Sequence, residues 1–390
     1  MTTHSCVIAP HLKASLLDVE EGKYGRMFPH LASPESDENI LLLLGRSGSV
    51  MDAATTSTAS RQNGGTDPDN PRIPAGFTFL GQFIAHDITA DRSLLLHHAR
   101  LKELRNFRTP RFDLESLYGA GPTGSPYLYD LDDADKFLIG INDQKEPKDL
   151  PRNQQGRALV GDPRDDVHLI ISQLHLAFLK FHNAIIDYLR TKGVTASEVF
   201  GEAQRLVRWH YQWIVVNEFL PLTVGEALMD DILTNGLKFY TFAERPYIPV
   251  EFADAAYRYG HSQVRSNYTL NEHGVQGQVF PDCAGTCPVL DERVVNWAYF
   301  FNVDDQHPPQ PSKRIDTLLA LLRIPRGDGK GAQSSLLRAL AKAFELGFDP
   351  LDCALAEPWT GPRPDPLQIV TDGAWRTAGD TRERLELFAT

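Results

Sequence analysis

Four short segments carry side chains that could do chemistry together. In Gly81-Gln82-Phe83-Ile84-Ala85-His86-Asp87, helical geometry puts Gln82 and His86 on one face and turns Asp87 about 100° away. A histidine facing a cavity, beside an amide that orients a small ligand or water, is an acid/base pair in outline. The bland alternative for His86 is a satisfied core histidine. In Thr109–Gly119, oxygen donors alternate: the Thr109 hydroxyl, the Arg111 carbonyl, and the Asp113 and Glu115 carboxylates. Such a loop suits Ca²⁺, with Asp87 as a further acid; a solvated turn is the competing reading.

The third segment, GDPRDDVHLIISQLHLAFLKFHN over residues 161–183, spaces His168, His175 and His182 by seven, along one helical face. Successive members stand about 10.5 Å apart along the axis, too far to share one metal ion. Arg164 at the start of that helix could aim its guanidinium at an oxygen that becomes negative. The fourth segment, Tyr257–Ser262, sets Arg258 and His261 three apart. A neutral histidine offering a ring nitrogen to iron, with a guanidinium one turn away for a carboxylate, suits a haem-like group.

The elements that must position these residues are mostly helical. Val167, Ile171, Leu174, Phe178, Phe181, Ile185 and Leu189 mark an amphipathic helix. Asp162 and Pro163 start it, and Lys192-Gly193 stops it. A second helix is expected over 203–219, ended by Pro221, and another over Phe77–Leu96. Shorter helical patterns fall at 251–263, 290–301, 313–323 and 334–346, while 105–165 reads as loop. Period-2 alternation is nearly absent. The expectation is a mainly α fold: an irregular arm over 1–70, then one helical domain over 71–390 with very little sheet and long irregular loops.

The chain has 390 residues, a formal net charge of −12, 42% hydrophobic residues and 23% charged residues. That is globular composition, not disorder. The acidic balance argues against binding nucleic acid through phosphate neutralisation. Cys6, Cys283, Cys287 and Cys353 are too few for a disulfide framework. Cys283 and Cys287 read as free thiols or a small local disulfide, and a metal site there is the weaker reading. No secretory signal or spanning apolar run is visible in the sequence, so the expected setting is cytoplasmic, with no membrane partner.

Together, GQFIAHD, TPRFDLESLYG, GDPRDDVHLIISQLHLAFLKFHN and AAYRYGHS, in that order, resemble the animal-type haem peroxidase (peroxidase–cyclooxygenase) superfamily in its short bacterial form. The resemblance implies a mainly helical haem peroxidase that uses H₂O₂ to oxidise a small organic donor, or a halide. His86 then stands for the distal base, Gln82 for its neighbour, and Arg164 for the distal arginine. His261 stands for the iron ligand and Arg258 for the residue meeting a haem propionate. Asp87, Thr109, Arg111 through its carbonyl, Asp113 and Glu115 stand for the calcium ligands. Three departures qualify this. Ala85 and Val167 replace acids that form haem esters in mammalian-type members, so the resemblance implies non-covalent haem b. Ala339 falls where an asparagine would support the proximal histidine, which keeps a catalytically impaired haem protein, a sensor or carrier, as the rival. Arg258 stands where fatty-acid oxygenases carry a radical-forming tyrosine, which disfavours that activity.

Overall fold

A computed structural model describes residues 22–29, 31, 37–45, 69–90 and 104–240, and 242–315 except for 243–244, 266, 280–281, 286 and 304–306. The helical patterns expected at 334–346 and beyond 315, and Ala339, lie outside the described residues.

The centre of the fold is a helix that is apolar on nearly every side. Helix α2, Ala75–Ile88, follows α1 (Glu38–Gly45) and strand β1 (Asp69–Pro74). A helix without a polar stripe has to be enclosed, and α2 is: only Gln82 and Ala85 are left partly exposed. Pro74 offers no side-chain cap, so the leading N–H groups bond elsewhere. Ala75 donates to the Gln310 carbonyl at 2.7 Å and Gly76 to the Phe300 carbonyl at 2.8 Å. A Cβ on Gly76 would come within 2.5 Å of the Phe301 ring, so this close approach needs glycine.

Helix α3, Leu169–Thr191, packs along α2, with the Phe83 and Phe178 rings stacked at 4.9 Å. By length and composition α3 could cross a membrane, but it is largely buried inside this protein as its core helix. It does not begin where the sequence pattern suggested. Asp162 does cap Arg164 N–H and Pro163 does take a first-turn position, but that turn is a separate 3₁₀ element, Pro163–Asp166. Val167 is non-helical, and His168 caps α3 proper through its ring nitrogen.

Helix α4, Val199–Ile214, runs against α3 and continues through a π-helical turn, Val215–Phe219, into Leu220–Val224. Pro221 therefore does not end the helix as expected; it sits directly after the π segment, inside the continuing helix. Phe219 from this turn packs on Gly81. Helix α5, Glu226–Asn235, was not anticipated.

The pattern at 251–263 is broken into Val250–Asp254, a 3₁₀ turn Ala256–Tyr259 and a one-turn helix Gly260–Gln263. The helix expected at 290–301 is absent: two 3₁₀ turns, Asp291–Arg293 and Trp297–Tyr299, stand in its place, the second capped by Asn296, and the Trp297 ring packs on Phe300 and Phe301. Among the described residues, sheet is confined to two small pairs. β1 pairs antiparallel with β4 (Pro311–Lys313), and β2 (Tyr268–Thr269) with β3 (Gln276–Gly277). The arm is not wholly irregular. Besides α1, Lys23 and Gly25 form bridges to Arg105 and Pro249, and Arg26 pairs with Glu251.

Candidate functional site

Gln82, Ala85 and His86 lie on one face of α2, as the i, i+3, i+4 spacing requires; Gln82 and Ala85 are partly exposed and His86 is buried. Behind that face stands a row of buried polar groups from the start of α3. His168 Nδ1 accepts the Ile171 N–H at 3.2 Å, so its Nε2 carries the proton and donates to Gln82 Oε1 at 2.8 Å. This turns the Gln82 amide nitrogen away from His168. Burial, with His86 nearby, depresses His168 to about 3, so it stays neutral.

One turn along, Asp165 is fully buried and accepts from two histidines. His86 Nδ1 is 2.6 Å from one carboxylate oxygen and His175 Nδ1 is 2.8 Å from the other. Burial works to raise the Asp165 carboxyl, but the hydrogen bonds from His175 and His86 outweigh it and hold the group below the usual range. The third heptad histidine, His182, faces another way, with the Tyr118 hydroxyl at 3.1 Å and the Asp135 carbonyl at 2.9 Å.

Arg164 closes the end of α2. Its Nη2 donates to the carbonyls of His86 at 3.0 Å and Thr89 at 2.6 Å, and it is held by Asp162 at 2.8 Å. A cation on the last carbonyls of a helix satisfies orphan acceptors and complements the helix dipole. Asp162 also binds Arg108 at 2.7 Å, and the two guanidiniums hold its carboxyl well down against the effect of burial.

The loop after Arg108 wraps beneath Asp87. Leu114 has φ 56°, a left-handed conformation that folds the next residues back onto the helix. Asp87 then accepts the Leu114 N–H at 3.2 Å and the Ser116 hydroxyl at 3.4 Å. Thr109 donates to Asp113 at 2.7 Å. Arg208 and Gln212 from α4 donate to the Asp113 and Phe112 carbonyls and fix the loop. Glu115 turns away and pairs with Arg108 at 3.2 Å. Asp87 is pushed up to about 8, by burial first and by Asp113 second. The buried Tyr211 hydroxyl lies against the Asp87 charge, yet it makes no hydrogen bond of good geometry. A carboxyl raised in this way, beside a second acid and an orphan hydroxyl, suits a cation. Asp87, Asp113, Thr109 and Ser116 supply oxygen donors, although no three His, Cys, Asp or Glu side chains converge at metal distance among the described residues.

His261 lies on the one-turn helix Gly260–Gln263, which packs against α2. Burial, and then the Arg258 charge, depress His261 to about 4, so it is a neutral imidazole. No hydrogen bond to its ring is made among the described residues. Arg258 is partly exposed, 3.8 Å from Asp254. Tyr257 donates to the Gly81 carbonyl at 3.0 Å and ties this segment to the Gln82–His86 turn.

The sequence profile of the animal haem peroxidase family matches residues 97–294, about half of the chain. The chain belongs to the animal haem peroxidase family. The matched stretch holds the Thr109–Glu115 loop, Arg164, Arg258 and His261 and begins after α2. Chorion peroxidase of Drosophila melanogaster is similar, at 30% identity over 154 residues, which is 37% of this chain and 19% of that protein. Aerobic cobaltochelatase subunit CobN of Pseudomonas aeruginosa is 44% identical over 132 residues, 32% of this chain and 10% of that subunit. The chain thus spans a small part of the curated relatives it matches. Peroxidase A of Dictyostelium discoideum has the same fold, with a TM-score of 0.51 and 17% identity over 70% of this chain and 64% of that one.

The peroxidase family implies a haem, and the residues present fit one. The Gln82–Ala85–His86 face of α2, the packing of the His261 turn on that helix, and a neutral His261 whose ring makes no hydrogen bond among the described residues leave a ring nitrogen that iron could take. Ala85 and Val167 carry no carboxyl to esterify. Cys283 and Cys287 are both free thiols. Sequence reasoning missed Asp165, His175, His168, Ser116 and Arg108. Only the shared face of the heptad histidines signalled two of them.

Proposed function

We propose that this peroxidase-family chain uses H₂O₂ to oxidise a small organic donor, or a halide, with haem b bound non-covalently between His86 and His261. When bound, the haem supplies the iron that takes up peroxide and the store for its two oxidising equivalents. His261 would offer iron its free ring nitrogen, and Arg258 would meet a propionate. His86 Nε2 accepts the proton from one peroxide oxygen and returns it to the other, which leaves as water. Gln82, whose Oε1 is held by His168, keeps its amide nitrogen available on the same helix face as His86. Arg164 keeps Nη1 without a partner among the described residues, and that group stabilises the charge developing on the leaving oxygen.

The observation that carries this reading is the His86 imidazole, whose Nδ1 is committed to Asp165 while Nε2 makes no bond to the described residues. Ca²⁺ held by Asp87, Asp113, Thr109 and Ser116 would pin the residue next to His86; the Arg111 carbonyl belongs to the same loop. The setting is a reduced one such as the cytoplasm, as the free thiols suggest. In the test, His86→Ala lowers peroxide turnover by about 10²–10⁴-fold with haem still bound. Unchanged turnover would remove His86 from the mechanism.

A second reading is a haem protein with impaired catalysis. It is favoured by the commitment of Arg164 to backbone carbonyls. A ferric spectrum indifferent to peroxide would select it.

A further inference from the structure

We propose that Asp165 is a positioning residue that fixes His86 in the tautomer with its proton on Nδ1, leaving Nε2 as the proton acceptor, and that His175 is the second anchor of this carboxylate. The inference rests on the peroxidase reading given above.

The geometry permits little else. An ionised carboxylate only accepts hydrogen bonds. Two ring nitrogens, at 2.6 Å and 2.8 Å on different oxygens of one carboxylate, must therefore both be Nδ1–H groups. Both distances fall in the range of charge-assisted bonds. Asp165 is fully sealed from solvent, and it sits in the 3₁₀ turn just before the N-terminus of α3. It cannot drift, because it follows Arg164, whose guanidinium is bonded to the His86 carbonyl. One turn therefore grips His86 twice, by backbone through Arg164 and by ring through Asp165. A histidine general base works only in the tautomer that presents a lone pair to the substrate, and a buried carboxylate on the far nitrogen enforces this. His175 occupies the second oxygen, which would otherwise be a buried acceptor without a donor.

The experiment labels histidine with ¹⁵N in the full-length, haem-loaded chain, held diamagnetic as its ferrous carbon monoxide adduct. Long-range proton–nitrogen correlations then read the protonation of each ring nitrogen. In the wild type, His86 and His175 are expected to carry protons on Nδ1 alone. In Asp165→Asn the amide accepts from one imidazole and donates to the other, so one ring changes tautomer. Turnover with peroxide is expected to fall about 10²–10⁴-fold in kcat with little change in KM. Asp165→Glu should recover part of it. A wild-type His86 with its proton on Nε2, or His86 and His175 ring signals unchanged in Asp165→Asn, would overturn the proposal. The wild-type spectrum alone decides if Asp165→Asn fails to fold. A tautomer change in Asp165→Asn, in a chain whose wild type never reacts with peroxide, supports the Asp165 grip and overturns the peroxidase reading instead.

Discussion

His86 Nδ1 lies 2.6 Å from the buried Asp165 carboxylate, while the main-chain carbonyl of the same histidine accepts a 3.0 Å hydrogen bond from Arg164. Two neighbours in one 3₁₀ turn thus set both the ring and the backbone of the candidate base. Another chain segment thus supplies the hydrogen-bond partners that the end of α2 lacks.

Arg164 should therefore affect stability as well as activity. Arg164→Ala leaves the His86 and Thr89 carbonyls and Asp162 short of a charged donor. It is expected to lower unfolding free energy by about 1.5–3 kcal/mol, the range for a hydrogen bond to a charged group. Denaturant melts of Arg164→Ala and Arg164→Lys test this, with Lys expected to recover part of the loss. An unchanged midpoint for Arg164→Ala would show that the cap contributes nothing.

Haem should leave the protein without bond cleavage. Ala85 and Val167 hold no carboxyl to form an ester, so acid–acetone or methyl-ethyl-ketone extraction is expected to remove the pigment completely. Haem retained on the polypeptide after extraction contradicts non-covalent binding.

Calcium binding should release protons. Without a cation, Asp87 is raised to about 8 and is largely protonated at pH 7. Binding Ca²⁺ requires the carboxylate, so titration at pH 7 in weak buffer is expected to expel up to about one proton per ion. Affinity should rise toward pH 8, and Asp87→Asn should abolish both binding and proton release. Heat-stable protein that takes up no Ca²⁺ across this range would reassign the loop as an Arg108-paired turn.

His182 sets an acid limit on stability. Burial depresses it to about 4 from an unfolded value of 6.5, so the folded state excludes a proton that the unfolded state binds. Its contribution is complete above pH 6.5 and is lost as pH falls toward 4, at up to about 1.4 kcal/mol per pH unit. His182→Gln should flatten that part of the stability curve. An identical slope in both proteins would show that His182 does not titrate on unfolding.

The residues of the site were legible where local periodicity fixes them. Gln82 and His86 share one face of α2 because residues four apart must, and Asp162 caps its turn as its type suggests. Asp165 was not legible as a partner of His86, because an acid after Pro163 reads as a complement to the helix dipole and the contact spans 79 residues. His168 as a cap was missed because that position usually holds Ser, Thr, Asp or Asn. Among the oxygen donors that alternation points to, Glu115 pairs with Arg108, while the left-handed Leu114 turns Ser116, which the alternation skips, toward Asp87. Pro221 looked like a stop because the π turn that accommodates it has no sequence signature of its own. The β1–β4 pair joins segments far apart in sequence and rich in proline, with no alternation to announce it.

The central claim is that this chain binds haem through His261 and reacts with peroxide. The most direct measurement is the absorption spectrum of the purified, haem-loaded protein before and after one equivalent of H₂O₂, repeated for His261→Ala. A Soret band that shifts rapidly with peroxide in the wild type, and is lost through failed haem loading in His261→Ala, is the expected result. A wild-type Soret band unmoved by peroxide, or full haem occupancy with a normal spectrum in His261→Ala, would contradict the account.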